Sequence, residues 1–248
     1  MKRMLLKSTI FFVLIAIALI GCINYIVPLK EKYLETKYDL FNENDSVKTE
    51  KEDSDILDSY KNIEFEKLTS SYKSFTKSED ANYINLLSDK SYKEISRNDF
   101  YKKLVGDFRI KDFVCKDMFY DTAVRNGDNK YYWLIDEKLP IAILNLQIEL
   151  EKQGYNSSGF KIIYGHRSPS KNELVNGARL SKHIVGQAVD IVNEDIDQDG
   201  VYTENDKNIV LEIAEKIVIG NKGGIGRYPG TRTIHLDVRG IRARWDSY

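Results

Sequence analysis

The chain has 248 residues, of which 42% are hydrophobic and 30% are charged, and its net charge at pH 7 is −1. This composition is ordinary for a globular protein, and the near-neutral charge excludes the overall basic character typical of nucleic-acid-binding domains, so no nucleic-acid partner is expected. With only two cysteines, Cys22 and Cys115, a disulfide framework is excluded as well.

The first 29 residues have the pattern of a membrane-targeting segment. Lys2, Arg3 and Lys7 precede a stretch from Thr9 to Leu29 that carries no charged residue. About 20 apolar residues can span a bilayer as a helix, which predicts a signal anchor with the rest of the chain outside the cytoplasm. The alternative is a lipoprotein signal, because Leu19–Cys22 reads LIGC and would lead to lipidation of Cys22. A simple secreted protein is a further alternative, and all three interpretations place the rest of the chain outside the cytoplasm.

Residues 30–96 are predicted to form a charged stalk or linker, and a partner-binding helix is the alternative. The segment NENDSVKTEKEDSD has almost no apolar content. In addition, 14 of the 15 glycines lie from Gly106 onward. This shift in composition places the start of the globular domain near residue 97.

Residues 97–248 alternate between helical and strand patterns. Helices are predicted for LPIAILNLQIELEKQGY, SPSKNELVNGARLSKH and NDKNIVLEIAEKIVI, and strands for GFKIIYG, GQAVDIV and RTIHLDVRG. In the second helix, Pro169 suits the first turn, and Ser170 with Glu173 fits a capping box. These patterns predict an α+β domain with a small antiparallel sheet packed with helices.

Polar residues within the predicted strands are candidates for a metal site. Strand alternation places His235 and Asp237 on one face of IHLDV. Asp190 is flanked by apolar residues, where a carboxylate is costly to bury unless it is paired or binds a metal. His183, Asp190 and His235 could supply the three protein ligands of a catalytic zinc site. The spacing of His183 and Asp190 is a loose pattern by itself, and a core histidine and a turn-capping aspartate are the alternative.

The segment SKHIVGQAVDI resembles the S-x-H-x-x-G-x-A-x-D motif of the zinc D-alanyl-D-alanine carboxypeptidase and murein endopeptidase family, which shares its fold with the hedgehog signalling domain. YGHRSPSKN is similar to the G-Y-R-S-P-x-x-N segment of that family, and GGIGRYPGTRTIHLDVRGIRARW is similar to its C-terminal H-x-D strand. The motifs occur in the order found in the family. The resemblance covers about residues 97 to 248.

The resemblance implies that His183, Asp190 and His235 bind zinc. It also implies that Arg167 contacts a carboxylate or carbonyl oxygen of the substrate, a task that suits its guanidinium fork. The neighbouring His166 and Ser168 are candidate substrate contacts. His166 stands where the family has an aromatic residue, so it is either a substrate contact or a plain substitution.

The general base departs from the family pattern. Many members have an acidic residue three positions before the last histidine, and this chain has Arg232 there. Asp237 is the nearest carboxylate by strand periodicity. It could act as the base or could orient a ligand histidine.

The segment DIDQDGVYTEND, residues 195–206, matches an EF-hand-type or dockerin-type calcium loop. The predicted calcium ligands are Asp195, Asp197 and Asp199, the backbone carbonyl of Val201, and Asp206. An acidic surface turn is the alternative. Calcium would have a structural role beside the zinc strand.

The sequence therefore predicts a zinc metallopeptidase that acts on peptidoglycan peptides at a bond involving a D-amino acid, of D,D-carboxypeptidase or endopeptidase type. The alternative is a non-catalytic module that contains zinc and binds or scaffolds the cell wall. The presence of Arg232 at the usual position of the base favours that alternative. Domain boundaries are predicted at 1–29, 30–96 and 97–248.

Overall fold

The computed structural model of the protein describes residues 56–114 and 130–247. The predicted membrane segment, Cys22 and Cys115 lie outside the described residues. Within these two ranges, no helix combines the length and the apolar character needed to cross a bilayer. The helices are α1 (Ser70–Thr76), α2 (Ile84–Leu87), α3 (Ile110–Phe113), α4 (Lys138–Lys152), α5 (Pro169–Leu174) and α6 (Glu204–Ile213).

The described strands form three sheets. They are β1 (Lys61–Glu64), β2 (Ser91–Ser96), β3 (Lys103–Val105), β4 (Phe108–Arg109), β5 (Lys130–Trp133), β6 (Phe160–Tyr164), β7 (Ala188–Asn193), β8 (Gly224–Arg227), β9 (Thr233–Asp237) and β10 (Ala243–Asp246). The first sheet has the order β1-β2-β5, the second has the order β10-β8-β9-β7-β6, and β3 pairs with β4. Short 3-10 turns cover Phe65–Lys67, Arg97–Tyr101 and Gly220–Lys222, and a π-helical turn, Ala214–Val218, follows α6.

The first sheet begins well before residue 97, which differs from the predicted stalk. β1 and β2 pair antiparallel, and β2 pairs with β5 on its other edge. Tyr72 of α1, which lies between β1 and β2 in the chain, is buried, and its hydroxyl donates to the carbonyl of Tyr132 in β5 at 3.2 Å. Ile63, Phe65 and Tyr92 enter a core, and the polar residues Thr76, Ser78 and Lys93 are buried as well, while most other polar residues of this region are exposed or half-buried. Residues 56–96 are therefore part of a packed structure.

The second sheet carries the predicted strands and is mainly antiparallel. β6, β7, β9 and β8 pair antiparallel in that order, and β10 adds a parallel edge to β8. The predicted helix at residues 139–155 is confirmed as α4, whose buried face includes Leu139, Ile143 and Leu146. It ends before Gly154, which has a φ of +79°. Such a left-handed residue is a common helix stop. The α+β fold class and the small sheet packed with helices are confirmed.

The helix predicted from SPSKNELVNGARLSKH is shorter than expected. α5 ends at Leu174, and turns follow up to β7. Pro169 does occupy the first turn, but the cap is Ser168, whose Oγ accepts from the backbone N–H of Lys171 at 3.2 Å. The predicted capping role of Ser170 is therefore wrong. The early end of α5 leaves the following segment, residues 175–187, free to form a wall of the site described below.

Candidate metal centre

Three side chains meet on the second sheet. Asp190 of β7 and His235 of β9 are direct partners in the strand register, and His183 lies in the turn before β7. The inner atoms are His183 Nε2, Asp190 Oδ1 and His235 Nδ1. They are separated by 3.0 to 3.2 Å from one another, and all three residues are buried. The three residues that the sequence predicts as zinc ligands therefore lie close together.

Hydrogen bonds on the outer side of each imidazole fix which nitrogen faces inward. Nδ1–H of His183 donates to the carbonyl of Gly165 at 2.7 Å, and Nε2–H of His235 donates to Asp237 at 3.1 Å. The inner nitrogens of His183 and His235 are then lone-pair donors that face each other and Asp190. Such an arrangement is stable only if a proton or a metal ion lies between the three atoms.

The donor set fits zinc. Two imidazole nitrogens and one carboxylate oxygen are ligands that zinc accepts, and a catalytic site leaves the fourth position open. Tetrahedral ligands with bonds of about 2.0–2.1 Å are about 3.3 Å apart. The separations of the three inner atoms are close to this value. His183, Asp190 and His235 are thus the residues that would hold the ion.

The ionisation of the three residues reflects their mutual contacts. Burial lowers the pKa of His183. Burial alone would also lower the pKa of His235, but its hydrogen bonds with Asp190 and Asp237 raise that pKa above the ordinary value. Burial alone would raise the pKa of Asp190, but the two histidines lower it well below the usual range. Asp190 is therefore ionised, as a metal ligand must be.

Arg167 lies beside the centre. It follows β6, and its NH2 group donates to Asp190 Oδ2, the carboxylate oxygen that faces away from the histidines. The guanidinium stacks over the ring of Tyr164 at 4.5 Å and lines the cavity in front of the three inner atoms. Arg167 can therefore both orient Asp190 and present a positive charge to a bound molecule.

The other two predicted substrate contacts are buried. His166 is 3% exposed and Ser168 is 2% exposed, and neither lines the cavity. Burial lowers the pKa of His166 to about 3, so this residue is a neutral core imidazole. Ser168 caps α5. The structure thus differs from the prediction for both residues. The backbone packs closely against Phe113 here, since a Cβ added at Gly165 would lie 2.3 Å from the carbonyl oxygen of Phe113 and the N–H of His166 donates to the same oxygen at 2.8 Å.

Asp237 supports His235 and does not line the cavity. It is fully buried and accepts hydrogen bonds from the backbone N–H groups of Gly224 at 3.0 Å and Arg239 at 3.1 Å. The side chain of Arg239 donates to both of its carboxylate oxygens. Of the two roles that the sequence left open, the geometry favours the orienting one, because every contact holds the carboxylate against His235 and Arg239.

A cavity of about 640 Å³, called the metal cavity below, opens in front of the three inner atoms. Besides Arg167 it is lined by Lys182, Tyr228, Arg239 and Trp245, and among the described residues Asp190 is its only carboxylate. Sequence reasoning missed Tyr228, Arg239 and Trp245, although all three lie within the quoted C-terminal motif. An apolar wall of the cavity is formed by Val175, Ala178 and Leu180.

Tyr228 and Trp245 shape the cavity around His235. Trp245 lies 5.0 Å from the His235 ring, measured between ring centroids, and the guanidinium of Arg239 stacks on the indole at 5.2 Å. Tyr228 is half-buried, and burial together with the charge of Asp190 raises its pKa to about 12. Its phenol is therefore a protonated hydrogen-bond donor at neutral pH.

Arg232, at the position of the family's acidic residue, does not face the cavity. Its guanidinium stacks over Tyr202 at 4.2 Å, whereas its neighbours Thr231 and Thr233 line the cavity.

The acidic loop brings together part of the predicted calcium site. Asp195, Asp197 and Asp199 each place a carboxylate oxygen within 4.8 Å of the others. Asp206 does not join them. It is buried, and its oxygens accept from the backbone N–H groups of Ile196 at 2.7 Å and Thr203 at 2.6 Å, so it caps α6. The structure therefore differs from the prediction that Asp206 is a calcium ligand. Calcium binding by the rest of the loop, with the carbonyl of Val201, stays a prediction.

Comparison with known proteins gave one family. The family model described as peptidoglycan L,D-endopeptidase MepK matches residues 108–245, which is more than half of the chain. The matched region contains the three inner residues, Arg167 and Tyr228. Neither the curated proteins nor the solved structures gave a match.

Proposed function

Because the chain belongs to the peptidoglycan L,D-endopeptidase family, we propose that it is a zinc-dependent endopeptidase that cuts the peptides of the cell wall. The observation that carries the zinc dependence is the convergence of His183, Asp190 and His235, with both outer ring nitrogens fixed by hydrogen bonds. When bound, zinc would supply a Lewis acid that polarises a carbonyl and lowers the pKa of water.

The residues around the centre have separate tasks in this proposal. Asp237 and the carbonyl of Gly165 hold the ligand imidazoles in the required tautomers. Arg167 and Tyr228 line the same cavity and can donate hydrogen bonds to an oxygen that gains negative charge during attack on a peptide carbonyl. Arg167 thereby remains the proposed substrate contact, and Tyr228 is added to it.

The proposed bond is one that joins an L- to a D-configured centre within crosslinked stem peptides. This choice rests on the description of the family and places the endopeptidase type ahead of the D,D-carboxypeptidase type. The test is digestion of purified L,D-crosslinked and D,D-crosslinked muropeptide dimers, with mass spectrometry of the products. Release of monomers from the L,D-crosslinked dimer alone is expected. Release of a single terminal D-alanine instead would identify a carboxypeptidase.

A variant pair connects any activity to the metal centre. His183→Ala should lose both zinc and activity, because one of three ligands is removed. Asp246→Asn changes an exposed carboxylate that pairs with Arg227 on the neighbouring strand, and it should keep both. Zinc content is measured by plasma mass spectrometry on the same samples.

The second candidate is a zinc-containing module that binds the wall without cutting it. It is favoured by the absence of a carboxylate other than Asp190 among the described residues that line the cavity, since a separate acidic base is then missing. Zinc-loaded protein that binds purified wall and releases no peptide from either dimer would support it.

We further propose that the protein acts outside the cytoplasm, held at the membrane by its N-terminus. The support is the basic, then apolar, sequence of residues 1–29. Mass spectrometry of the N-terminus of the membrane-bound protein separates the two anchors, because a lipoprotein would begin at a lipidated Cys22, whereas a transmembrane anchor would retain residues 1–21.

A further inference from the structure

A second cavity of about 340 Å³ lies on the other side of the turn that carries His183. Lys182, Val185 and Gln187 of this turn line it together with Leu134, Ile135 and Asp136, and a further wall is formed by Leu86, Lys90 and Ser91. The last three residues belong to α2, the connection after it and the start of β2, in the part of the chain that precedes the family match at residue 108. This wall is thus a contribution of the N-terminal sheet region.

The turn between the two cavities is held firmly. The backbone N–H of Asp136 donates to the carbonyl of Gly186 at 3.0 Å, and Gln187 Nε2 donates to the Asp136 carboxylate at 3.0 Å. Gly186 has a φ of +68°, and a Cβ there would lie 2.3 Å from the carbonyl oxygen of Leu134. The partition between the cavities is therefore a rigid strip of backbone that also positions His183.

Lys182 connects the two cavities. It is the single residue that lines both the metal cavity and the second cavity among the described residues, and it directly precedes His183. Its ammonium group has no carboxylate partner within residues 56–114 and 130–247. An uncommitted cation at the junction suits a ligand that carries a carboxylate and passes from one cavity to the other.

We propose that the second cavity is a subsite for the second stem peptide of the crosslinked substrate, with Lys182 binding a carboxylate of that peptide. This inference rests on the proposed endopeptidase function. An endopeptidase must hold peptide on both sides of the bond that it cuts, and the second cavity, which meets the metal cavity at Lys182, offers space for one of these sides. Stem peptides carry free carboxylates, which match the charge of Lys182. The occupant is therefore the part of the crosslink that lies beyond the scissile bond.

The test fills the second cavity without touching the metal centre. Ser91 is exposed at the start of β2 and lines the cavity, so Ser91→Trp places an indole in it. Ser88→Trp is the matched control, since Ser88 is also exposed in the same connection but does not line the cavity. Both variants are made in the full chain, loaded with zinc and checked for zinc content and thermal midpoint.

Ser91→Trp should raise KM for the crosslinked dimer at least 10-fold with little change in kcat, and Ser88→Trp should match the wild type. Lys182→Gln should raise KM for the dimer with free carboxylates more than for the same dimer with amidated carboxylates. Equal KM values for Ser91→Trp and the wild type would overturn the subsite.

Binding separates this inference from the proposed function. If the wild type cuts no dimer, the proposed function fails, and the dissociation constant of the uncut dimer then decides on the subsite. Dimer binding that Ser91→Trp weakens at least 10-fold, and Ser88→Trp does not, keeps the subsite. Binding that both variants leave unchanged, or no binding to the wild type, overturns it.

Discussion

Replacing Asp237 by asparagine should distinguish support of His235 from direct proton transfer. The carboxylate accepts from His235, from the backbone N–H groups of Gly224 and Arg239, and from the Arg239 side chain. An asparagine of the same shape offers one acceptor oxygen and places an NH2 group among these donors. His235 or Arg239 then loses its partner, and the inner nitrogen of His235 is no longer fixed toward the metal.

The size of the effect follows from these contacts. Loss of a carboxylate behind a metal-binding histidine weakens metal affinity about 10- to 100-fold, or about 1.4–2.7 kcal/mol. The free energy of unfolding of the metal-free protein should fall by about 2–3 kcal/mol. This is less than the ~3–5 kcal/mol expected when a fully buried ion pair is broken, because the Arg239 side chain is 22% exposed while Asp237 is fully buried.

The assay measures kcat of Asp237→Asn on the crosslinked dimer while free zinc is increased in a metal buffer. If Asp237 orients His235, activity should return to within about tenfold of the wild type once zinc is saturating. A general base contributes about 10²–10⁴-fold, so a fully loaded variant that stays at least about 100-fold below the wild type would refute the orienting role. Asp246→Asn, with its exposed carboxylate on β10, is the control and should change neither quantity.

Three further outcomes are expected. Tyr228→Phe should lower kcat by about 10²–10³-fold with zinc content unchanged, because it removes a hydrogen-bond donor facing the reacting oxygen; a wild-type kcat would remove the phenol from the chemistry. A chain that begins at residue 97 should lack a cooperative thermal transition, since it loses β1 and β2 and exposes the edge of β5, whereas a chain that begins at residue 49 should keep it; equal midpoints would show that the first sheet is dispensable. His183 and His235 hold the pKa of Asp190 below its usual value, and His235 and Arg239 do the same for the pKa of Asp237. Both carboxylates therefore stabilise the metal-free fold above about pH 4. This contribution to the free energy of unfolding disappears as the pH falls through the lowered pKa values of the folded state. The free energy of unfolding should therefore decline below about pH 4, and Asp237→Asn should decline less steeply; identical slopes would contradict the assignment.

Two of the three proposed metal ligands could be predicted from a local strand pattern, and the third could not. Asp190 and His235 lie in short strands with clear alternation, and strand pairing places them side by side. His183 lies in a turn whose backbone position depends on Leu134 and Asp136, distant residues that no local pattern reveals. It was the resemblance to a family, and not periodicity, that linked His183 to the other two ligands.

The first sheet and the cavity lining were missed for physical reasons. In β1 only Ile63 is buried, so its polar neighbours gave the segment the composition of a linker although it pairs with β2. Tyr228 reaches the cavity from the connection between β8 and β9, where no periodic pattern sets the direction of a side chain. The spacing of Asp206 matched the last ligand position of a calcium loop, but in the structure its carboxylate oxygens accept hydrogen bonds from nearby backbone N–H groups.

Loading of the metal centre is an exchange of one cation for another. Before zinc arrives, the raised pKa of His235 favours a proton shared with Asp190, and zinc must displace that proton. The measured heat of zinc binding should therefore vary with the ionisation enthalpy of the buffer. Because the proton and zinc would compete for the same three atoms, acidification would empty the proposed zinc centre at a pH where the sheet that carries it remains folded, so the proposed activity could be lost and regained without refolding.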